Sequence, residues 1–149
     1  MAVLKANKIT PFLWYNIDLE EVVNFYVSIF KNSLIIQKNS MMATFELEGQ
    51  RFLALNGGPE FKFTDAVSFF ISCKNQDEVD YYWNELLKDG GVEVQCGWLK
   101  DKYGLSWQVV PEILGELLSD PDPVKSDKVM KAMLKMVKLD IDGLINAIK

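Results

Sequence analysis

The chain has 149 residues, of which 49% are hydrophobic and 25% are charged, and its formal net charge is −5. This length and composition predict one globular domain spanning 1–149, large enough to bury a core. The acidic balance argues against a nucleic acid or a membrane as the partner, because both carry negative surface charge.

Histidine is absent, and the two cysteines are Cys73 and Cys96. Without an imidazole, a Ser-His-Asp or Cys-His catalytic site is excluded within one chain. Two cysteines do not make a disulfide framework, and Met1–Lys8 lacks the apolar block of a secretory signal. No apolar run approaches the roughly 20 residues that span a bilayer. We therefore expect a reduced, cytoplasmic protein.

The first half of the chain predicts a strand, a helix and three further strands. The first strand covers 8–16, and the helix covers 18–30 with Asp18 as its N-cap. The three short strands lie near 34–37, 42–47 and 51–55. The segment Asn56-Gly57-Gly58-Pro59 then breaks the chain.

The second half predicts the same order of elements. A strand covers 66–73, and a helix covers 75–88 with Asn75 as its cap. Three short strands follow near 92–95, 98–100 and 105–110.

Residues also repeat between the halves. A shift of 75 − 18 = 57 lays Glu20-Glu21-Val22 on Asp77-Glu78-Val79, and it lays Pro11 on Ser68. A shift of 104 − 49 = 55 lays Gly49 on Gly104. The agreement of element order with these short matches indicates a repeated βαβββ module.

The repeat predicts an α+β fold with modules at 8–58 and 64–111. Two such modules give an open, curled mixed sheet of eight strands with helices outside. The concave face of such a sheet is a usual place for a small ligand.

The remaining segment, 112–149, predicts a helical arm. Asp122 is placed to cap a helix that begins at Pro123. Apolar residues recur at helical spacing on both sides of a predicted break near Leu139-Asp140. The arm is expected to pack on its own domain or on a partner subunit.

Several strings of the sequence resemble one known family. "KITPFLWYN", "FLALNGGPEFKF" and "CGWLKDKYGLSWQVVP" are similar to the PhnB-like branch of the vicinal oxygen chelate superfamily, which includes glyoxalases and bleomycin-resistance proteins. The resemblance extends over nearly the whole chain. It implies paired βαβββ modules and a homodimer. The branch also carries a name taken from demethylubiquinone methyltransferase.

Metal-using members of the superfamily hold their ion on the first and last strands of the modules. The resemblance carries these positions to Pro11, Leu53, Ser68 and Gln108. None of the four is a carboxylate, imidazole or thiolate, which zinc, iron and manganese prefer. We therefore expect no metal and no other cofactor.

Strand alternation and the resemblance select six residues as the lining of a ligand cavity. They are Trp14, Asn56, Ser68, Phe70, Trp98 and Gln108. Aromatic walls with a few amides suit a flat or amphipathic small molecule. The sequence thus favours a metal-independent small-molecule-binding protein, and it assigns neither a reaction nor catalytic residues.

Two alternatives remain open on the sequence. The first is a metal-dependent isomerase, lyase or dioxygenase, in which Glu46, Glu60 or Asp65 contributes to a metal site. The second is an interaction protein whose aromatic side chains merely fill the core. Methyl transfer is disfavoured, because no glycine-rich loop follows the first strand.

Overall fold

The structure is a computed structural model that describes residues 7–149. The chain divides into two compact units, of which the first ends at Lys62 and the second runs from Phe63 to Lys149. Each unit contains one βαβββ module. Residues 1–6, on which the expectation about a secretory signal partly rests, lie outside the described part.

The first unit contains one helix and four strands. Their bounds are β1 (Phe12–Tyr15), α1 (Leu19–Ile29), β2 (Ser33–Lys38), β3 (Met42–Leu47) and β4 (Gln50–Asn56).

The second unit contains the second module and three further helices. The module consists of β5 (Ser68–Cys73), α2 (Gln76–Leu86), β6 (Val92–Glu93), β7 (Trp98–Lys100) and β8 (Ser106–Pro111). The C-terminal helices are α3 (Glu112–Leu118), α4 (Pro123–Leu134) and α5 (Ile141–Asn146). No helix within 7–149 is long and apolar enough to cross a membrane.

Each module completes its own mixed sheet. The strand orders are β1-β4-β3-β2 and β5-β8-β7-β6, with the first pair of each sheet parallel and the others antiparallel. The predicted modules and C-terminal helices are therefore confirmed. We expected one sheet of eight strands, but within 7–149 the strands are hydrogen-bonded as two open sheets of four.

The helices confirm the predicted repeat. Asp18 accepts a hydrogen bond from the backbone N–H of Glu20, and Asn75 accepts one from Glu78, so each caps an 11-residue helix. Gly49 and Gly104 both have left-handed backbones, with φ of 83° and 87°. A side chain is disfavoured in that conformation, which explains the glycine at the same turn of each module.

The first strands align differently from the prediction. β1 begins at Phe12, so the predicted strand over 8–16 is shortened, and Pro11 precedes it. Phe12 lies opposite Leu53 in the first module, whereas Phe70 lies opposite Gln108 in the second. Leu53 and Gln108 correspond under the shift of 55, so their strand partners Phe12 and Phe70 also correspond. The shift for the first strands is therefore 70 − 12 = 58. The first module thus has one extra residue between strand and helix cap, and Ser68 corresponds to Thr10 rather than to Pro11.

The core of the first unit lies between its sheet and α1. The Tyr26 ring of α1 stacks on Phe45 with centroids 6.2 Å apart, and Phe45 stacks on Phe52 at 5.5 Å. The hydroxyls of Tyr15 and Tyr26 lie 2.9 Å apart. Burial of these large rings supplies much of the apolar area that stabilises the unit.

The C-terminal helices pack within the second unit, so the arm lies on its own chain. Val129 of α4 and Leu144 of α5 are fully buried in a cluster with Val110, Leu114 and Leu139. The sequence left open whether the arm packs on its own domain or on a partner subunit, and the structure shows packing on its own domain. The predicted break before Asp140 is confirmed, because α4 ends at Leu134 and α5 begins at Ile141.

The segment between α4 and α5, residues 135–140, is held by hydrogen bonds to the second module. The carbonyls of Met136 and Val137 accept from the backbone N–H of Cys96 and Gly97, both at 2.8 Å. The Gln76 side chain donates to the Leu139 carbonyl at 3.1 Å and accepts from the N–H of Ile141 at 2.8 Å. These contacts satisfy backbone groups that a loop would otherwise leave to water.

Candidate functional site

In each sheet the helix of the same module packs against one face, and we call the other face the open face. In the second unit α2 packs against β5, β7 and β8. Leu99, Trp107 and Val109 are 0–3% exposed and lie on the helix-covered face. Because successive strand residues alternate, Trp98 and Gln108 lie on the open face.

An amide flanked by two aromatic rings occupies the open face of the second unit. Gln108 of β8 lies opposite Phe70 on one side and opposite Trp98 on the other. Its Nε2 donates to the Ser68 hydroxyl at 2.9 Å. We call Phe70, Gln108 and Trp98, with Ser68 beside them, the aromatic-amide row.

Four of the six predicted cavity residues therefore come together in the aromatic-amide row. Phe70 is 60% exposed, and Gln108, Trp98 and Ser68 are half-buried. The second N–H and the carbonyl oxygen of Gln108 have no partner within residues 7–149. The row can thus offer a donor, an acceptor and aromatic surface to one ligand.

Trp14 lies on the open face of the first unit, where a loop covers part of it. Its Nε1 donates to the carbonyl of Gly58 at 2.9 Å, and the Phe61 ring packs edge-on at 5.0 Å. A Cβ on Gly57 would stand 2.3 Å from the indole, so only glycine allows this approach. Phe61 was not selected from the sequence, because nothing in its spacing ties it to Trp14.

Asn56 is placed on the other face of the first sheet. It lies opposite Tyr15, whose hydroxyl contacts α1, whereas Trp14 lies opposite Leu55. Paired residues in adjacent strands share a face. The structure therefore does not bring Asn56 onto the face that carries Trp14.

The residues at the superfamily's metal positions do not fit a divalent ion. With the corrected alignment these positions hold Thr10, Leu53, Ser68 and Gln108, which offer neutral oxygens or none. Within residues 7–149 no group of three or more Cys, Asp or Glu side chains is placed to hold a metal. Transition metals need charged or imidazole donors to replace their water, so this set is unsuitable.

The carboxylates of the enzyme alternative are dispersed. Glu46 accepts from Arg51 Nε at 3.1 Å and from Nη2 at 2.9 Å. Asp65 pairs with Lys100 at 2.9 Å, and Glu60 is exposed. Two of the three thus already have a cation as partner, and none belongs to the aromatic-amide row.

The cysteines differ in their surroundings. Burial raises the pKa of the Cys73 thiol to about 12, so this thiol remains protonated at neutral pH. Cys96 is half-buried at a left-handed position, with φ of 59°. A protonated thiol is a poor nucleophile, so Cys73 fills space in the core.

The turn between β7 and β8 differs from the solvated turn that Lys100-Asp101-Lys102 suggests. Asp101 is 2% exposed. Its Oδ1 accepts from the N–H of Tyr103 and Leu105, and its Oδ2 accepts from Trp107 Nε1 at 2.9 Å. The carboxylate can be buried because these three donors satisfy its oxygens, and in return it holds the turn together. The charged triplet in the sequence does not indicate this role.

These features place the chain in a known class. Paired βαβββ modules with open mixed sheets match the glyoxalase and bleomycin-resistance fold. The model of the family described as 3-demethylubiquinone-9 3-methyltransferase matches residues 7–110, and the chain belongs to that family.

Solved structures agree with this membership. A Bacillus cereus PhnB protein, described by the same methyltransferase name, is 33% identical with a TM-score of 0.64, and the match covers 70% of this chain and 99% of that one. No curated protein sequence matches the chain significantly.

More distant structures share the fold alone. A Listeria monocytogenes fosfomycin resistance protein, complexed with Mn(II) and sulfate, is 18% identical with a TM-score of 0.52, and the match covers 70% of this chain and 88% of that one. A glyoxalase-related enzyme from Fulvimarina pelagi is 11% identical with a TM-score of 0.52, with coverage of 72% and 91%.

The family's methyltransferase name raises the question of a methyl-donor cofactor such as S-adenosylmethionine. A glycine-rich loop after the first strand would hold such a donor, but β1 is followed by Asn16-Ile17-Asp18. Gly57 packs against Trp14 and Gly58 accepts from its indole, so these glycines serve the loop. The residues do not fit that mode of cofactor binding.

Proposed function

We propose that this protein binds a small organic molecule without a metal, on the open face that carries the aromatic-amide row. The observation that carries the proposal is the placement of Gln108 between Phe70 and Trp98, with its amide bonded to Ser68. Two flanking rings give stacking surface, and one amide gives directional recognition. From the family resemblance we also infer a cytoplasmic homodimer.

The ligand class follows from the groups available in the row. Gln108 can donate and accept, and Ser68 adds a hydroxyl, so an uncharged or singly anionic polar group is suited to them. Phe70 is the most exposed side chain of the row and is suited to cover a flat apolar body. The function is therefore sequestration or sensing of an amphipathic aromatic molecule.

The variant Gln108→Ala tests the proposal with anilinonaphthalene sulfonate as the probe. Removing the amide is expected to weaken probe binding at least about tenfold, since a hydrogen bond to a charged group contributes about 1.5–3 kcal/mol. Fluorescence titration measures the dissociation constant. Gln95→Ala is the matched control, because Gln95 is an exposed glutamine outside the row. Equal probe affinity in the Gln108 and Gln95 variants would overturn the proposal.

A further inference from the structure

The helix α4 belongs to a part of the chain that the family match does not include, since that match ends at residue 110. The helix buries one residue, Val129, against the second unit. Most of its remaining surface is exposed. This surface has no role in the aromatic-amide row.

The exposed side of α4 combines lysines with apolar residues. Lys128, Lys131 and Lys135 recur at spacings of three and four, which places them along one side of the helix. Met130 and Leu134 are four residues apart and are 39% and 54% exposed. Lys128 and Lys135 make no ion pair within residues 7–149. We call these five residues the α4 outward face.

The preceding segment carries the opposite charge. Residues 112–122 contain four carboxylates and no basic residue, whereas residues 123–138 contain five lysines and one aspartate. Glu112 and Glu116, one turn apart on α3, are exposed and unpaired within residues 7–149. The helices α3 and α4 pack against each other. The hairpin of α3 and α4 thus carries an acidic helix beside a basic one.

We propose that the α3–α4 hairpin is a self-association surface, in which the α4 outward face of one copy lies against Glu112 and Glu116 of a second copy. A two-fold interface uses the same patch twice, so each patch must contain both complementary halves. The hairpin meets this requirement, and Met130 and Leu134 supply the apolar part of the contact.

A second copy fits this surface better than an anionic membrane does. The chain as a whole has a net charge of −5, which opposes approach to anionic lipid. The α4 outward face also lacks the aromatic side chains common in interfacial helices. A 12-residue helix is about 18 Å long, so the interface is small and the association is expected to be weak and sensitive to salt.

Two charge-reversed variants test the proposal on the full chain. One carries Lys128→Glu and Lys135→Glu, and the other carries Glu112→Lys and Glu116→Lys. Sedimentation equilibrium measures self-association at about 50 and about 500 mM NaCl. High salt is expected to raise the wild-type dissociation constant at least about tenfold. Each variant alone is expected to show a similar loss at low salt, because like charges then face each other.

An equimolar mixture of the two variants tests whether complementary charges restore self-association. Each acidic half then meets a basic half, so the complex is expected to reform with at least wild-type affinity. The control is Lys8→Glu with Lys62→Glu, which changes the net charge as much as the α4 lysine variant does, through two exposed lysines of the first unit. It is expected to associate like the wild type, and circular dichroism checks folding.

The proposal is overturned if either variant retains wild-type association at low salt, or if the mixture fails to restore it. Retained association together with loss of binding to vesicles of phosphatidylcholine and phosphatidylserine would assign the α4 outward face to a membrane instead. If another surface also joins the subunits in pairs, each charge-reversed variant alone is expected to show half the complex mass of the wild type.

Discussion

Asp101→Ala is expected to lower the free energy of unfolding by about 4 kcal/mol. The carboxylate accepts from the N–H of Tyr103 and Leu105 and from the Trp107 indole. Each buried donor that loses its acceptor costs about 1–3 kcal/mol. Urea unfolding followed by circular dichroism measures the change.

Asp65→Ala is the matched control, because Asp65 forms an exposed ion pair with Lys100. Exposed pairs contribute about 0–1 kcal/mol, so this variant is expected to unfold almost like the wild type. Asp101→Asn should fall between the two, since its amide nitrogen would face the Trp107 N–H. A loss below about 1 kcal/mol for Asp101→Ala would contradict the role assigned to the carboxylate.

Gly97→Ala is expected to lower the free energy of unfolding by about 3 kcal/mol, from backbone strain and crowding together. Gly97 has φ of 84°, and an added Cβ would lie 2.9 Å from Leu139 Cδ1 and 3.0 Å from the Val109 carbonyl oxygen. Its N–H also donates to Val137, so the substitution is expected to loosen residues 135–140. Hydrogen exchange of Gly97 and its neighbours would show this loosening.

Substitutions at two other glycines distinguish backbone strain from crowding as the cause of the loss at Gly97. Gly104 has φ of 87° with open space around its Cα, so Gly104→Ala is expected to lose about 1 kcal/mol from the backbone alone. Gly115 lies inside α3 with nothing within 4 Å of an added Cβ. Gly115→Ala is therefore expected to raise the free energy of unfolding by about 0.5–1 kcal/mol. Equal losses at Gly97 and Gly104 would show that Leu139 does not crowd the position.

Sequence patterns predicted the elements of this fold because the signals are local. Three helices begin at the capping residues that the sequence predicted, which are Asp18, Asn75 and Asp122. The turn glycines Gly49 and Gly104 followed from the same kind of signal, since a left-handed backbone favours glycine whatever surrounds it.

Features that depend on contacts distant in sequence were not predictable. The extra residue between β1 and α1 shifted the alignment of Ser68 from Pro11 to Thr10, and only strand pairing reveals such a shift. The buried state of Asp101 depends on Trp107 reaching it across a turn. The attachment of residues 135–140 through Gln76 joins positions more than 60 residues apart.

The candidate site divides in the same way. Alternation along β5 predicted that Ser68 and Phe70 share a face, and the predicted cavity lining added Gln108 of β8 to them; the strand pairing places the three side by side. The side of Asn56 depended on the pairing of β4 with β1, which the sequence does not specify. One residue of register therefore decides whether a strand side chain lies on the open face or on the face that packs against the helix.

Native mass spectrometry of the chain, purified without added metal or chelator, tests the central claim most directly. We expect a retained organic mass on the wild-type protein, no stoichiometric divalent ion, and loss of that mass in Gln108→Ala. One divalent ion bound per chain, kept in the Gln108→Ala variant, would contradict metal-independent binding at the aromatic-amide row.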